Sequence, residues 1–174
     1  MVADLDTTPL FTEVALRKRV AELGAAISRD YAGEPVTMVC VLKGAFMFAA
    51  DLIRTITVPV KIEFIGVQSY EGTKSTGRVR ITHDLGRDIH DNNVLLVEDI
   101  IDTGRTIDYL LETLRARGPK TIRVCTLLSK PEAHIMKHRV DYTGFEISKE
   151  FVIGYGLDLD GKYRELPYIA QVKT

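Results

Sequence analysis

One stretch restricts this chain more than any other: Val94-Leu95-Leu96-Val97-Glu98-Asp99-Ile100-Ile101-Asp102-Thr103-Gly104-Arg105-Thr106. An unbroken aliphatic run, Val94 to Val97, reads as a strand buried on both faces. An acidic loop follows, then the turn Thr-Gly-Arg-Thr. Ile107, Leu110, Leu111 and Leu114 then recur at helical spacing. A doubly buried strand feeding an amphipathic helix places the chain in the α/β class.

The same stretch carries chemistry. A helix N-terminus presents unpaired N–H groups and a partial positive charge. Gly104 permits close backbone approach, and Thr103 and Thr106 add hydroxyls, so the turn forms a phosphate cradle. Carboxylates do not bind phosphate. Glu98 and Asp99 therefore suit vicinal sugar hydroxyls or a divalent metal. A loop that offers carboxylates to a ribose and amides to its 5′-phosphate suits a phosphoribosyl group.

These residues resemble the phosphoribosyl-diphosphate-binding motif of the type I phosphoribosyltransferases. The resemblance implies a mostly parallel central sheet flanked by helices, with a small hood built from terminal segments. It assigns the phosphoribosyl group and its 5′-phosphate to Glu98, Asp99, Asp102, Thr103, Gly104, Arg105 and Thr106. The chain is expected to be a single domain over residues 1–174, with a core at about 35–130 and a hood from the N-terminal segment and about 140–174.

Taken in order, Thr12 to about Tyr31 reads as a helix ended by Gly33 and Pro35. Val36–Leu42 is a buried strand, Ala45 to about Ile56 an apolar helix, and Pro59–Val67 a second strand. The polar stretch Gln68–Gly77 reads as a mobile loop, and Val79 to about His83 as a short strand. After the central helix, which ends at Gly118-Pro119, come a strand at Thr121–Leu128 and a short helix at Pro131–His138. Strands at Tyr142–Ile147 and Phe151–Leu157 and an extended piece at Pro167–Val172 complete the chain. Ligands of such sheets sit beyond the carboxyl ends of the strands, where Lys43-Gly44, Gln68–Tyr70, Glu98–Thr106 and Lys130 fall.

The resemblance extends from about Thr37 to Leu166 and adds roles. Leu42-Lys43-Gly44 matches the family's pyrophosphate loop, which is associated with a cis peptide, here between Leu42 and Lys43. Ser69-Tyr70 with Ser75-Thr76-Gly77 matches an active-site lid. The pyrophosphate set is therefore Lys43, Gly44, Ser69, Tyr70 and Arg164. Lys130, Phe151, Val152 and Asp158 are similar to the purine pocket of the branch acting on hypoxanthine and guanine, with Ile100 and Leu157 beside them. There Phe151 stacks on the base, the Val152 backbone meets its edge and Lys130 binds the 6-oxo group. The resemblance also implies Mg²⁺ held by Glu98, Asp99 and Asp158, and Asp102 as general base at the purine N7.

Other motifs fail on their own terms. Gly72-Thr73-Lys74-Ser75 has Thr73 where a P-loop needs glycine. Asp158-Leu159-Asp160-Gly161 lacks the first and last ligands of a calcium loop. Gly154-Tyr155-Gly156 lacks the context of a dinucleotide fingerprint. His134 and His138 have metal-ligand spacing but no third ligand, and read as a surface helix.

A net charge of -1 gives no pull towards nucleic acid or anionic membrane, and no segment is apolar for long enough to span a bilayer. The N-terminus lacks a secretory pattern, and Cys40 and Cys125 read as buried thiols, which predicts a cytoplasmic protein. The expected partners are a 6-oxopurine and 5-phosphoribosyl 1-diphosphate, with a homodimer or homotetramer implied by resemblance. Two alternatives stand beside this reading: a regulator of this fold that binds RNA or DNA, and the same chemistry on xanthine.

Overall fold

The computed structural model describes residues 7–69 and 79–173. The expected lid residues Tyr70 and Ser75-Thr76-Gly77 lie outside the described residues. The main sheet has six strands in the order β4-β3-β2-β5-β6-β7: Val79–His83, Val60–Ser69, Val36–Leu42, Asn93–Ile101, Thr121–Ser129 and Tyr142–Glu146. All neighbours pair in parallel except β3 with the edge strand β4. Three helices are described, α1 (Glu13–Tyr31), α2 (Phe46–Ile53) and α3 (Arg105–Arg115).

The strand interiors read as continuous apolar runs because both faces are covered. Met38, Cys40, Leu95 and Val97 face one side and pack with Leu16, Leu23, Phe48 and Leu52 from α1 and α2. Val39, Val41, Val94 and Leu96 face the other side and meet Ile107, Leu110 and Leu114 of α3. Thr12 caps α1 by accepting the Ala15 N–H at 3.2 Å. Among the described residues no helix is long and apolar enough to cross a membrane.

A second sheet of three antiparallel strands, β1-β9-β8, joins Thr7–Phe11, Ile169–Val172 and Val152–Ile153. It brings β1 beside β9, and it is the part of the structure that the expected hood would occupy. The strand β1 carries no sequence signal strong enough to announce it, because its pairing partner lies at the far end of the chain.

Three expected elements differ. Helix was expected over Pro131–His138, but only Pro131–Ala133 forms a turn, of 3-10 type. Beyond it His138 Nδ1 meets Asp108 Oδ1 at 2.7 Å and His134 Nε2 meets Ser129 Oγ at 3.3 Å, so the two imidazoles serve different partners. The strand expected over Phe151–Leu157 stops at Ile153, because Gly154, Tyr155 and Gly156 all take positive φ. Finally, β3 continues through Ser69, whose backbone pairs with Val79, so the expected loop begins later than Gln68.

Candidate active site

The strand order decides where a ligand can sit. From β2 the chain moves outward to β3, whereas from β5 it moves the other way to β6. The connections diverge between β2 and β5, and the crevice beyond their carboxyl ends is the topological switch point. A cavity of about 230 Å³ opens there, lined by Leu42 at the end of β2, by Gly44, and by Glu98 to Thr106 at the end of β5 and in the turn beyond it. Val41, Val67 and Ile107 complete it. Sequence reasoning missed these three because an aliphatic lining residue looks like any core residue.

Glu98 and Asp99 are not in a loop. They continue β5, which runs to Ile101, so the acidic pair is carried on rigid backbone. Glu98 is 7% exposed, and burial first, then the Asp99 charge, pushes its carboxyl well above the usual range. Burial also raises Asp99, partly offset by its hydrogen bonds and the Arg164 charge. Asp99 Oδ1 accepts the Ile100 N–H at 2.9 Å, which fixes its rotamer. The Cys40 thiol nearby is pushed up to about 12 by burial and then by these two carboxylates.

Gly104 caps α3 with φ 82°, a conformation that disfavours a side chain, and Met136 packs against it. Around it Thr103 Oγ1 accepts the Arg105 N–H at 3.5 Å, and the Thr103 carbonyl accepts from Ile135 at 3.0 Å. Gly104 itself supplies no side-chain cap, and beyond the long Thr103–Arg105 contact the first turn of α3 takes no side-chain acceptor among the described residues, which suits a ligand anion.

Gly44 lies against Asp99: a Cβ added there would stand 1.6 Å from Asp99 Oδ2. The Leu42–Lys43 peptide is cis. Lys43 is exposed. Lys130 follows β6, and its Nζ lies 3.5 Å from Asp102 Oδ2; the two line a small cavity that adjoins the crevice through Asp102. Asp102 is 59% exposed at its side chain and Lys130 only 14%. Val152 and Leu157 are buried in the apolar cluster against which Ile100 packs, while Phe151 is 46% exposed.

Arg164 Nη2 sits 2.6 Å from Asp158 Oδ1, and the Gly161 N–H donates to Asp158 Oδ2 at 2.7 Å. Among the described residues no group of three or more His, Cys, Asp and Glu side chains is placed to hold a metal alone. That fits Mg²⁺ chemistry of a particular kind. Magnesium commonly binds through one or two carboxylates plus substrate oxygens rather than in an all-protein cage. Glu98 and Asp99 supply such a pair, whereas Asp158 is already engaged by Arg164 and Gly161.

The glycine turn at the head of α3 and the buried acidic pair meet at one switch-point crevice, an arrangement that suits a phosphorylated sugar. Comparison with known proteins agrees. A family model described as the phosphoribosyl transferase domain matches residues 8–160, and the chain belongs to that family. Relatives include a hypoxanthine-guanine phosphoribosyltransferase of Mycobacterium tuberculosis (strain CDC 1551 / Oshkosh). It is 47% identical over 167 residues, covering 92% of this chain and 83% of the relative. A hypoxanthine phosphoribosyltransferase of Salmonella typhimurium is 43% identical over 166 residues, covering 94% and 93%. The crystal structure of a hypoxanthine phosphoribosyltransferase from Staphylococcus aureus superposes with TM-score 0.92 at 42% identity, covering 98% of this chain and 93% of that one.

Proposed function

We propose that the chain transfers the 5-phosphoribosyl group from 5-phosphoribosyl 1-diphosphate to hypoxanthine or guanine in purine salvage. The products are IMP or GMP and pyrophosphate. The observation that carries this reading is the pair Lys130–Asp102, with Nζ and Oδ2 3.5 Å apart in a small cavity that adjoins the crevice through Asp102. A 6-oxopurine presents O6 and N7 on one edge. A donor-only ammonium suits O6, and a carboxylate suits the N7 proton. The family's appearance among relatives named hypoxanthine-guanine phosphoribosyltransferase supports the same choice and does not favour the regulator reading.

In the transfer, the base N9 forms the new bond to the sugar C1′ as the bond from C1′ to the pyrophosphate oxygen breaks. Positive charge develops on the sugar, as in other glycosyl transfers. Asp102 takes the proton that leaves N7. Lys130 holds O6, Phe151 stacks on the base, and Ile100, Val152 and Leu157 exclude water from its edge. Thr103, Gly104, Arg105 and Thr106 hold the 5′-phosphate. Lys43, Gly44 and Arg164, with Ser69 and Tyr70, meet the pyrophosphate. Glu98 and Asp99 would hold Mg²⁺, with Asp158 joining them only if it gave up its Arg164 pairing, and the ion would supply charge neutralisation for the departing group.

The exposed Phe46, Ile62 and Phe64 give an apolar surface that suits a homodimer or homotetramer. Free buried Cys40 and Cys125 suit a cytoplasmic location.

The test is pyrophosphate release with hypoxanthine, guanine, xanthine, adenine and orotate, in wild type and Lys130→Ala. Adenine presents a 6-amino donor to the Lys130 donor, and such a mismatch can cost roughly 10⁴–10⁵ in kcat/KM. Hypoxanthine and guanine should be turned over and adenine rejected, with the gap narrowing in Lys130→Ala. Equal use of adenine and hypoxanthine by wild type would overturn the pocket assignment.

A further inference from the structure

Outside the residues assigned above, one hydrogen bond joins the hood to the core at a sensitive place. Tyr155 Oη donates to Asp51 Oδ2 at 2.6 Å, across more than a hundred residues of chain. Tyr155 is 6% exposed and lies between Gly154 (φ 97°) and Gly156 (φ 101°), itself at φ 51°. A non-glycine residue holds that conformation only when its surroundings over-determine it. Its N–H donates to Leu166 O at 2.8 Å, and the Gly156 N–H donates to Arg164 O at 2.9 Å.

The turn rests directly on the loop after β2. A Cβ at Gly156 would stand 2.1 Å from the Gly44 carbonyl oxygen, just as one at Gly44 would collide with Asp99. Gly156 thus lies on the Gly44 backbone, and Gly44 in turn lies on the Asp99 carboxylate. Arg164 Nη1 donates to the Gly156 carbonyl, and Arg164 also pairs with Asp158. Asp51 lies on α2, the helix that begins two residues after Gly44.

We propose that Tyr155 is a positioning residue: through Asp51 it clamps the 154–164 turn onto the Lys43–Gly44 loop and so sets Arg164 against the pyrophosphate. This rests on the pyrophosphate assignment made under Proposed function. The Tyr155 ring belongs to the main apolar core, while its hydrogen bond to Asp51 is only part-buried. The outer side of the clamp faces a cavity of about 460 Å³ lined by Met47, Asp51, Arg54, Tyr155 and Glu165 among others. Asp51 keeps its ion pair with Arg54 at 3.0 Å when the tyrosine hydroxyl is removed. Tyr155→Phe therefore leaves no buried polar group without a partner.

The experiment measures calorimetric binding of pyrophosphate with Mg²⁺, and separately of ribose 5-phosphate, to wild type, Tyr155→Phe, Asp51→Ala and Asp51→Asn. Wild type that fails to bind pyrophosphate at all overturns the functional assignment itself. Given binding, loss of a hydrogen bond to a carboxylate should weaken pyrophosphate about tenfold in Tyr155→Phe and Asp51→Ala. Ribose 5-phosphate should change by less than about twofold, since its cradle on α3 makes no bond to the turn. Asp51→Asn retains an acceptor oxygen and should restore most of the affinity. Unchanged pyrophosphate binding in Tyr155→Phe, or equal loss of both ligands, overturns the proposal. Should Tyr155→Phe not fold, the contrast between Asp51→Ala and Asp51→Asn decides on the same terms.

Discussion

Replacing Glu98 by glutamine should stabilise the fold while disabling the site, and the effect should grow with pH. Glu98 lies on the central strand, 7% exposed, beside Asp99. Burial and the neighbouring charge both raise its carboxyl pKa in the folded state. A raised folded pKa means that the native chain binds more protons than the unfolded one between the two pKa values. Stability is then fully present below the unfolded value and is lost as pH rises through the folded value. Two unit charges about 4 Å apart repel by roughly 4 kcal/mol at an effective dielectric of about 20. Relaxation of the pair reduces this, so Glu98→Gln should gain about 1–3 kcal/mol at about pH 8.5. For a domain of this size that is roughly 2–12 °C in Tm. Glutamine keeps the size of the side chain and an acceptor for the Asp99 N–H, which Glu98 Oε1 accepts at 3.3 Å. Thermal melts without Mg²⁺ or substrate at about pH 5 and about pH 8.5 measure the difference. A Tm difference between variant and wild type that is the same at both pH values would refute the repulsion argument. Phosphoribosyl transfer by the variant should fall, as expected where a site holds charge at a cost in stability.

Two further outcomes follow from the crevice. Asp102→Asn removes the proton acceptor at constant size and should lower kcat about 10²–10⁴-fold, with ribose 5-phosphate binding by calorimetry little changed. Gly44→Ala places a Cβ 1.6 Å from Asp99 Oδ2. Overpacking of roughly 1–3 kcal/mol at that point corresponds to about 5–150-fold in kcat/KM, with far-UV circular dichroism unaltered.

The extent to which the site was readable differs from residue to residue. Val94–Val97, the Thr103–Thr106 turn and the apolar face of α3 could be read locally, because burial on both faces, a glycine turn and helical spacing each leave a pattern within a few residues. Motif order brought Lys130, Phe151 and Asp158 into one hypothesis with them. The extent of β5 through the acidic pair was not legible, since carboxylates ordinarily end a buried run. They remain in the strand here because β6 pairs alongside, with Glu98 opposite Thr126 and Ile100 opposite Leu128, although the pairing with β2 ends at Val97.

By itself the sequence determined the class of fold, the glycine turn at the head of α3 and the identity of the charged groups, all of them properties of short segments. Tertiary structure alone decided that β2 and β5 are neighbours, that Gly44 lies on Asp99, and that Lys130 meets Asp102. It also decided that β1 pairs with β9 and that Tyr155 reaches Asp51. Each of these joins residues far apart in the chain. Local patterns record which face of an element is buried, but they carry no information about which distant element buries it.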